Sequence, residues 1–175
     1  MLELEGKLTE IYLLPGELHL AREPAIIRTI LGSCVGVTFW SAKHGVGALC
    51  HSLLPKCPAN SFDGMNRKGG HRYVDFAIRD LARRFDQLGA RRSEVQVKLF
   101  GGADVLAVRS TAASKPTVGR LNCESAIEIV RSEGFQVAAS SLGGTSGLNL
   151  RFNTGTGEVW LRRLPRVLFE EIEDE

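Results

Sequence analysis

This sequence reads as a mixed α/β protein, a layered sandwich of β-sheet with helices packed on one side. The first half is dominated by apolar, β-branched runs divided by turn residues. Only two stretches carry helical periodicity, and they are segregated from the strands instead of alternating with them, which disfavours a parallel βαβ sheet. The 175 residues include 43% hydrophobic and 24% charged side chains, a soluble globular balance that suits one core. A single domain is expected over 1–175. Its acidic tail, from about residue 168, should fray because Glu170, Glu171, Glu173, Asp174 and Glu175 put negative charge where a helix end prefers positive.

Residues 25–40 (AIIRTILGSCVGVTFW) form an apolar strand run interrupted by the small segment Gly32-Ser33-Cys34. A turn at 41–45 leads into a second run, 46–54, which Pro55 stops. Residues 56–70 are Gly-rich and polar without periodicity, a long loop of the kind that often acts as a lid. The clearest helix is 73–88, where Val74, Ala77, Ile78, Leu81, Phe85 and Leu88 share one face and Gly89 supplies the stop. Residues 94–100 alternate as a strand ending at Gly101-Gly102. A second helix is expected from about 122 to 133, with Ala126, Ile127 and Val130 inward and Gly134 ending it. Residues 135–140 then read as a strand, and 148–152 with 158–164 as a hairpin across 153–157.

Twenty-two basic against 20 acidic residues leave a net charge of +2, with no basic stripe for nucleic acid. The opening MLELEGKLTE is not a secretory signal, and apolar runs fall well short of the ~18 residues of a membrane span. A cytoplasmic protein without membrane insertion is expected. Its four cysteines, Cys34, Cys50, Cys57 and Cys123, would then be reduced thiols.

Chemistry concentrates at Cys34 and His51. The thiol sits among small residues that leave room for a carbonyl, and Gly32 permits backbone conformations closed to other residues. His51 lies 17 positions later on the following strand, where two neighbouring strands would bring imidazole and thiol together. Thr29 or Ser33 would orient the ring or complete an oxyanion site. A thiol paired in this way should alkylate well below the ~8.5 pKa of a free cysteine. Spacing alone equally allows a packed Cys34 and a strand-end His51 satisfied by a backbone carbonyl. A zinc site at His44, Cys50, His51 and Cys57 ranks last, since no paired C-x-x-C or H-x-x-x-H unit occurs. Residues 143–147 lack the Lys of a phosphate loop and read as a tight turn, while Gly101-Gly102-Ala103 is a strand-end turn or backbone that approaches the thiol.

Leu31-Gly32-Ser33-Cys34-Val35, followed by Cys50-His51-Ser52-Leu53-Leu54-Pro55, resembles the signature of the CheD family of chemoreceptor glutamine deamidases. The likeness continues through Arg72-Tyr73-Val74-Asp75-Phe76-Ala77-Ile78, Phe100-Gly101-Gly102-Ala103 and Val118-Gly119-Arg120-Leu121-Asn122. It extends to Arg151-Phe152-Asn153-Thr154-Gly155-Thr156-Gly157-Glu158-Val159, so it spans nearly the whole chain. The resemblance implies a fold similar to that of the deamidating cytotoxic necrotizing factors. It also implies hydrolysis of glutamine side chains to glutamate on methyl-accepting chemotaxis receptors, through a cysteine thioester and without cofactor or metal. Cys34 then matches the nucleophile and His51 the base. The family's third member is a threonine, and the six-residue spacing before the cysteine lands on Arg28, with Thr29 one position on. Either a local shift lets Thr29 serve, or His51 is oriented differently. Backbone N–H groups of Gly32 and Ser33 would stabilise the oxyanion. The chain departs from the family at 143–148, where an Asn, a Tyr and an Arg are replaced, and this bears on receptor or partner recognition. Family members can also bind CheC, a CheY phosphatase. The competing reading is a non-catalytic adaptor of the same fold that binds receptor helices or a CheC-like phosphatase. In either case a monomer making transient complexes is expected.

Overall fold

The computed structural model describes residues 6–59, 69–105 and 115–165. In chain order its strands are β1 (Thr9–Tyr12), β2 (Leu18–Ala21), β3 (Ala25–Leu31), β4 (Val35–Ser41) and β5 (Val46–Ser52). Helix α1 (Val74–Gln87) follows, then β6 (Gln96–Gly101), helix α2 (Val118–Ser132), β7 (Val137–Leu142), β8 (Leu148–Asn153) and β9 (Val159–Arg163). The strands form two mixed sheets, one ordered β1-β3-β8-β9 and the other β2-β5-β4-β6-β7. Pairs β1/β3 and β6/β7 are parallel and the remainder antiparallel. The expected α/β layered arrangement is present, with both helices on one side.

Two apolar clusters separate the layers. Val35, Val37, Phe39, Val46, Ala48 and Cys50 of the five-stranded sheet pack against Ala77, Ile78, Leu81 and Phe85 of α1 and Ala126, Ile129 and Val130 of α2. Phe39 is central there, edge-on to Phe135 with ring centroids 4.9 Å apart. On the opposite face, Leu49 and Phe100 meet Leu13, Ile27, Leu31, Leu150 and Phe152. The five-stranded sheet is thus covered on both faces, which is why β5 is buried at every residue. Strand β3 alternates in its exposed half: Ile27, Thr29 and Leu31 point inward, whereas Arg28 and Ile30 are exposed. Among the described residues, no helix is long and apolar enough to cross a membrane.

Several boundaries differ from the sequence reading. β1 and β2 were not expected, because four-residue segments with exposed or half-buried side chains carry little periodicity. β6 begins two residues late, since Arg92–Glu94 forms a 3-10 turn in which the Glu94 carboxylate accepts from Lys43 and Arg91. β7 also begins two residues late, because Phe135 is spent on the packing against Phe39. Helix α2 starts four residues early, at Val118, with Thr117 as N-cap accepting from the Arg120 N–H at 3.3 Å. The expected helical loop ends otherwise hold: α1 stops at Gly89, which has φ 77°. The tail from about 168, and most of the expected lid at 56–70, lie outside the described residues.

Gly119 hides the start of α2 because it looks like a helix breaker. A Cβ there would stand 2.5 Å from the Ala103 carbonyl oxygen and 2.7 Å from that of Gly102. Alanine normally stabilises a helix interior by about 1 kcal/mol over glycine. Here the sign should reverse: Gly119→Ala is expected to destabilise the protein by about 2 kcal/mol, as overpacking against backbone does, measured by urea unfolding.

Candidate active site

The site forms where the two sheets face each other. In the β4–β5 hairpin, Gly36 lies opposite His51, and Cys34 precedes Gly36 by two residues. Cys34 packs, half-buried, on the inter-sheet cluster, and His51 is buried on that same side, 2% exposed. The two side chains are therefore diagonal neighbours on one face of the hairpin. Thr29 reaches them from β3 on the facing sheet. Its hydroxyl donates to the Leu13 carbonyl at 2.8 Å and lies 2.7 Å from His51 Nδ1.

That pair of bonds fixes the histidine tautomer. A threonine hydroxyl has one proton, and Leu13 takes it, so the oxygen can only accept from the ring. His51 therefore carries its proton on Nδ1, leaving the Nε2 lone pair as the basic position. Arg28, the other candidate by spacing, points to the outer face and pairs with Glu10 at 3.6 Å. The His51 backbone is held by Gly16 N–H to its carbonyl at 2.7 Å and by its own N–H to Glu17 at 2.9 Å.

The cysteine loop is gripped through its carbonyls. Gly32 accepts from Ala103 N–H at 2.9 Å, Ser33 from Asn122 Nδ2 at 2.9 Å and Cys34 from Gly102 N–H at 2.8 Å. Among the described residues, the Ser33 N–H meets no acceptor, and the Cys34 N–H lies against its own thiol. The special conformation expected at Gly32 is absent; the positive φ values belong to Gly101 (95°) and Gly102 (65°). Those two glycines wrap the Cys34 carbonyl, so the stretch 101–103 approaches the backbone of the cysteine loop. The 143–147 stretch is a short bend between β7 and β8, with positive φ at Gly143 and Gly144 and no hydrogen-bonded turn. It abuts the same place, with Gly143 N–H donating to Gly101 and Asp104 N–H to Gly144, both at 2.8 Å.

Burial lowers the pKa of His51 to about 4, against a smaller opposing pull from Glu17. Burial also pushes the Cys34 thiol up, partly offset by its own backbone N–H. The resting pair is accordingly neutral, which differs from the standing thiolate expected of a His-paired cysteine. The remaining candidates scatter. Cys50 points into the helix-side core, where burial raises its thiol to about 11, while His51 faces the other way from the same strand. His44 is engaged with Ser41 Oγ at 3.0 Å. The four residues of the zinc reading thus do not converge, and no group of three His, Cys, Asp or Glu among the described residues forms a metal cluster. Sequence reasoning missed Leu13, whose role is a backbone carbonyl with no side-chain signal, and Asn122. Asn122 had a signal: it is polar at a position in register with the apolar Ala126 and Ile129.

Two outcomes follow from the buried imidazole. Thr29→Val strands Nδ1–H and the Leu13 carbonyl and should cost about 1–3 kcal/mol in urea unfolding, with Thr29→Ser losing less. The folded-state pKa of about 4 lies below the ordinary 6.5, so the unfolded chain takes up the proton first as pH falls. The associated stability is complete above pH 6.5 and is lost as pH falls towards 4, by an amount on the order of 3 kcal/mol. Stability measured across that window should flatten in His51→Asn.

The comparisons with known proteins place the chain in a family. The family model described as CheD chemotactic sensory transduction matches residues 53–163, a stretch that holds both helices and the β8–β9 hairpin. Thr29, Cys34 and His51 lie ahead of it, but the curated relatives extend across them. A protein of Geobacter sulfurreducens named probable chemoreceptor glutamine deamidase CheD 2 is 43% identical over 160 residues, 91% of this chain and 93% of that protein. A probable chemoreceptor glutamine deamidase CheD of Maridesulfovibrio salexigens is 32% identical over 94% of this chain and 98% of its own length. One of Rhodospirillum rubrum is 37% identical over 87% and 81%. With a family match over more than half its length and relatives that align almost end to end, the chain belongs to the CheD family.

Proposed function

We propose that this protein deamidates glutamine side chains of chemoreceptors, with Cys34 as nucleophile, His51 as general base and acid, and Thr29 as the residue that orients His51. The observation that carries the reading is the Thr29 hydroxyl, whose only proton is committed to Leu13 and which therefore leaves Nε2 as the basic nitrogen on the face shared with Cys34. The family and its relatives support the substrate.

His51 Nε2 takes the thiol proton as sulfur attacks the glutamine Cδ. Because the resting pair is neutral, proton transfer accompanies the attack instead of preceding it. The oxygen of the tetrahedral intermediate accepts from the N–H groups of Ser33 and Cys34, the latter released from its own sulfur as that sulfur attacks, with Gly32 setting the loop's entry. The His51 Nε2 proton then passes to the departing nitrogen, ammonia leaves and a thioester remains. Water gives a proton to Nε2 and its oxygen attacks the thioester carbon. Collapse releases glutamic acid, and the sulfur recovers its proton from His51. The acid proton then passes in solution to ammonia, giving glutamate and ammonium; every other proton shuttles through one imidazole, and no redox partner is involved.

The substrate puts the place of action at receptor cytoplasmic helices, and a monomeric single domain forming transient complexes fits such a target. The departure at 143–148 favours the second reading, an adaptor that binds receptor helices or a CheC-like phosphatase, since that bend borders the cysteine loop through Gly101.

Peptide mass spectrometry of a receptor cytoplasmic fragment separates the two. Conversion of discrete glutamines to glutamate is expected with the native protein and should drop to background in Cys34→Ala, with circular dichroism unchanged. Receptor binding without conversion would leave the adaptor reading. In the same assay the acid limb of kcat/KM should fall well below pH 6.5, towards the value of about 4 for His51, because Nε2 must be unprotonated to accept the thiol proton.

A further inference from the structure

Helix α2 turns a polar stripe towards the cysteine loop. Gly119, Asn122 and Ser125 follow one another at three-residue spacing on one face, and all are buried. Asn122 is 0% exposed, and its Nδ2 donates twice, to the Ser33 carbonyl and to the Leu53 carbonyl, each at 2.9 Å. Ser33 adjoins Cys34, and Leu53 stands two residues beyond His51.

The backbone ladder between these strands stops short of the site. The last paired residues of β4 and β5 are Val35 and Ser52, so the next rung, Cys34 against Leu53, has no β-pairing. A side-chain nitrogen from α2 takes its place and joins the two chain segments just where the ladder ends. Oδ1 of the same amide is the single buried side-chain N or O atom among the described residues that lacks a hydrogen-bond partner. An apolar residue of similar shape would fill the space without leaving that acceptor stranded. What the amide adds is two N–H bonds at a fixed angle, aimed at two carbonyls.

We infer that Asn122 is a positioning residue for the Cys34–His51 pair: its Nδ2 ties the cysteine loop to the strand end that follows the histidine, and so sets the reach between thiol and Nε2. The inference rests on Cys34 and His51 being nucleophile and base. It assigns a task to the Val118-Gly119-Arg120-Leu121-Asn122 motif that the chemistry of the dyad leaves unexplained.

The test is alkylation of Cys34 by iodoacetamide across pH 5–9, quantified on its peptide, alongside kcat and KM on a receptor fragment. Asn122→Leu keeps the size and removes both donors. Iodoacetamide, like substrate, would be attacked as Nε2 takes the thiol proton, so Cys34 alkylation in this variant should fall to the level of His51→Asn, and kcat should fall about 100-fold with KM nearly unchanged, the scale expected for misplacement of reacting groups. Ser125→Ala loses a bond to the Pro55 carbonyl, beyond the site, and should lower the melting temperature while moving neither readout. Should Asn122→Leu not fold, Asn122→Ser retains one donor and should give an intermediate alkylation profile. A folded Asn122 variant with the native alkylation profile would overturn the inference, as would a native profile that does not depend on His51. Absence of glutamine conversion by the native protein defeats the deamidase reading separately, and the alkylation arm still decides on Asn122.

Discussion

The hydrogen bond between Thr29 and His51 is made across the space between two sheets, and the site's other properties follow from that placement. Neither sheet contains both partners. The bond exists only because Ile27, Leu31, Leu150 and Phe152 on one sheet and Leu49 and Phe100 on the other exclude water from the interface. The same exclusion of water that makes the bond strong also disfavours charge on the ring and on the thiol. Orientation and electrostatics are therefore one constraint: the imidazole is held in one tautomer by surroundings that keep it neutral.

The thiol is held differently. Its loop is fixed by three carbonyls bound to Gly102, Ala103 and Asn122, from two segments distant in sequence. Gripping a loop by its acceptors leaves its donors available, and donors are what a developing oxyanion needs. Gly101 and Gly102 make the grip possible, because only residues free to adopt positive φ can curl around the Cys34 carbonyl at that distance. The glycine freedom that holds the Cys34 loop is supplied by a neighbouring segment and not by Gly32.

Much of this was legible in the residues. The core strands β3 to β5 and helix α1 follow from unbroken apolar periodicity, and the Cys34–His51 pairing follows from two consecutive strands. The misses have physical causes. The segments β1 and β2 are too short and too exposed to carry a pattern, yet Leu13, directly after β1, supplies the carbonyl that commits the Thr29 proton. The choice between Arg28 and Thr29 depends on which residues of β3 face inward, and a partly buried strand shows this only once its partners are placed. Helix α2 was read short because Gly119 and Asn122 interrupt the apolar stripe, and both do so where the helix meets loop backbone instead of core. The neutral resting state was invisible, since burial belongs to the assembled sandwich and not to any motif.

Strand β3 has a further consequence, for the order in which the molecule comes together. Its antiparallel neighbour is β8, and the bond from Ala25 N–H to Thr154 Oγ1 closes a separation of 129 residues. The β4–β5 hairpin is a local structure that can close early, whereas the seating of β3 against β8 must await a large loop closure. On the ribosome, the thiol and the imidazole are thus made neighbours long before Thr29 is locked opposite them. On the reading of Cys34 as nucleophile, a nascent chain would hold that cysteine without its oriented base until nearly all of the domain has emerged, and completion of the sandwich would be the step that arms it.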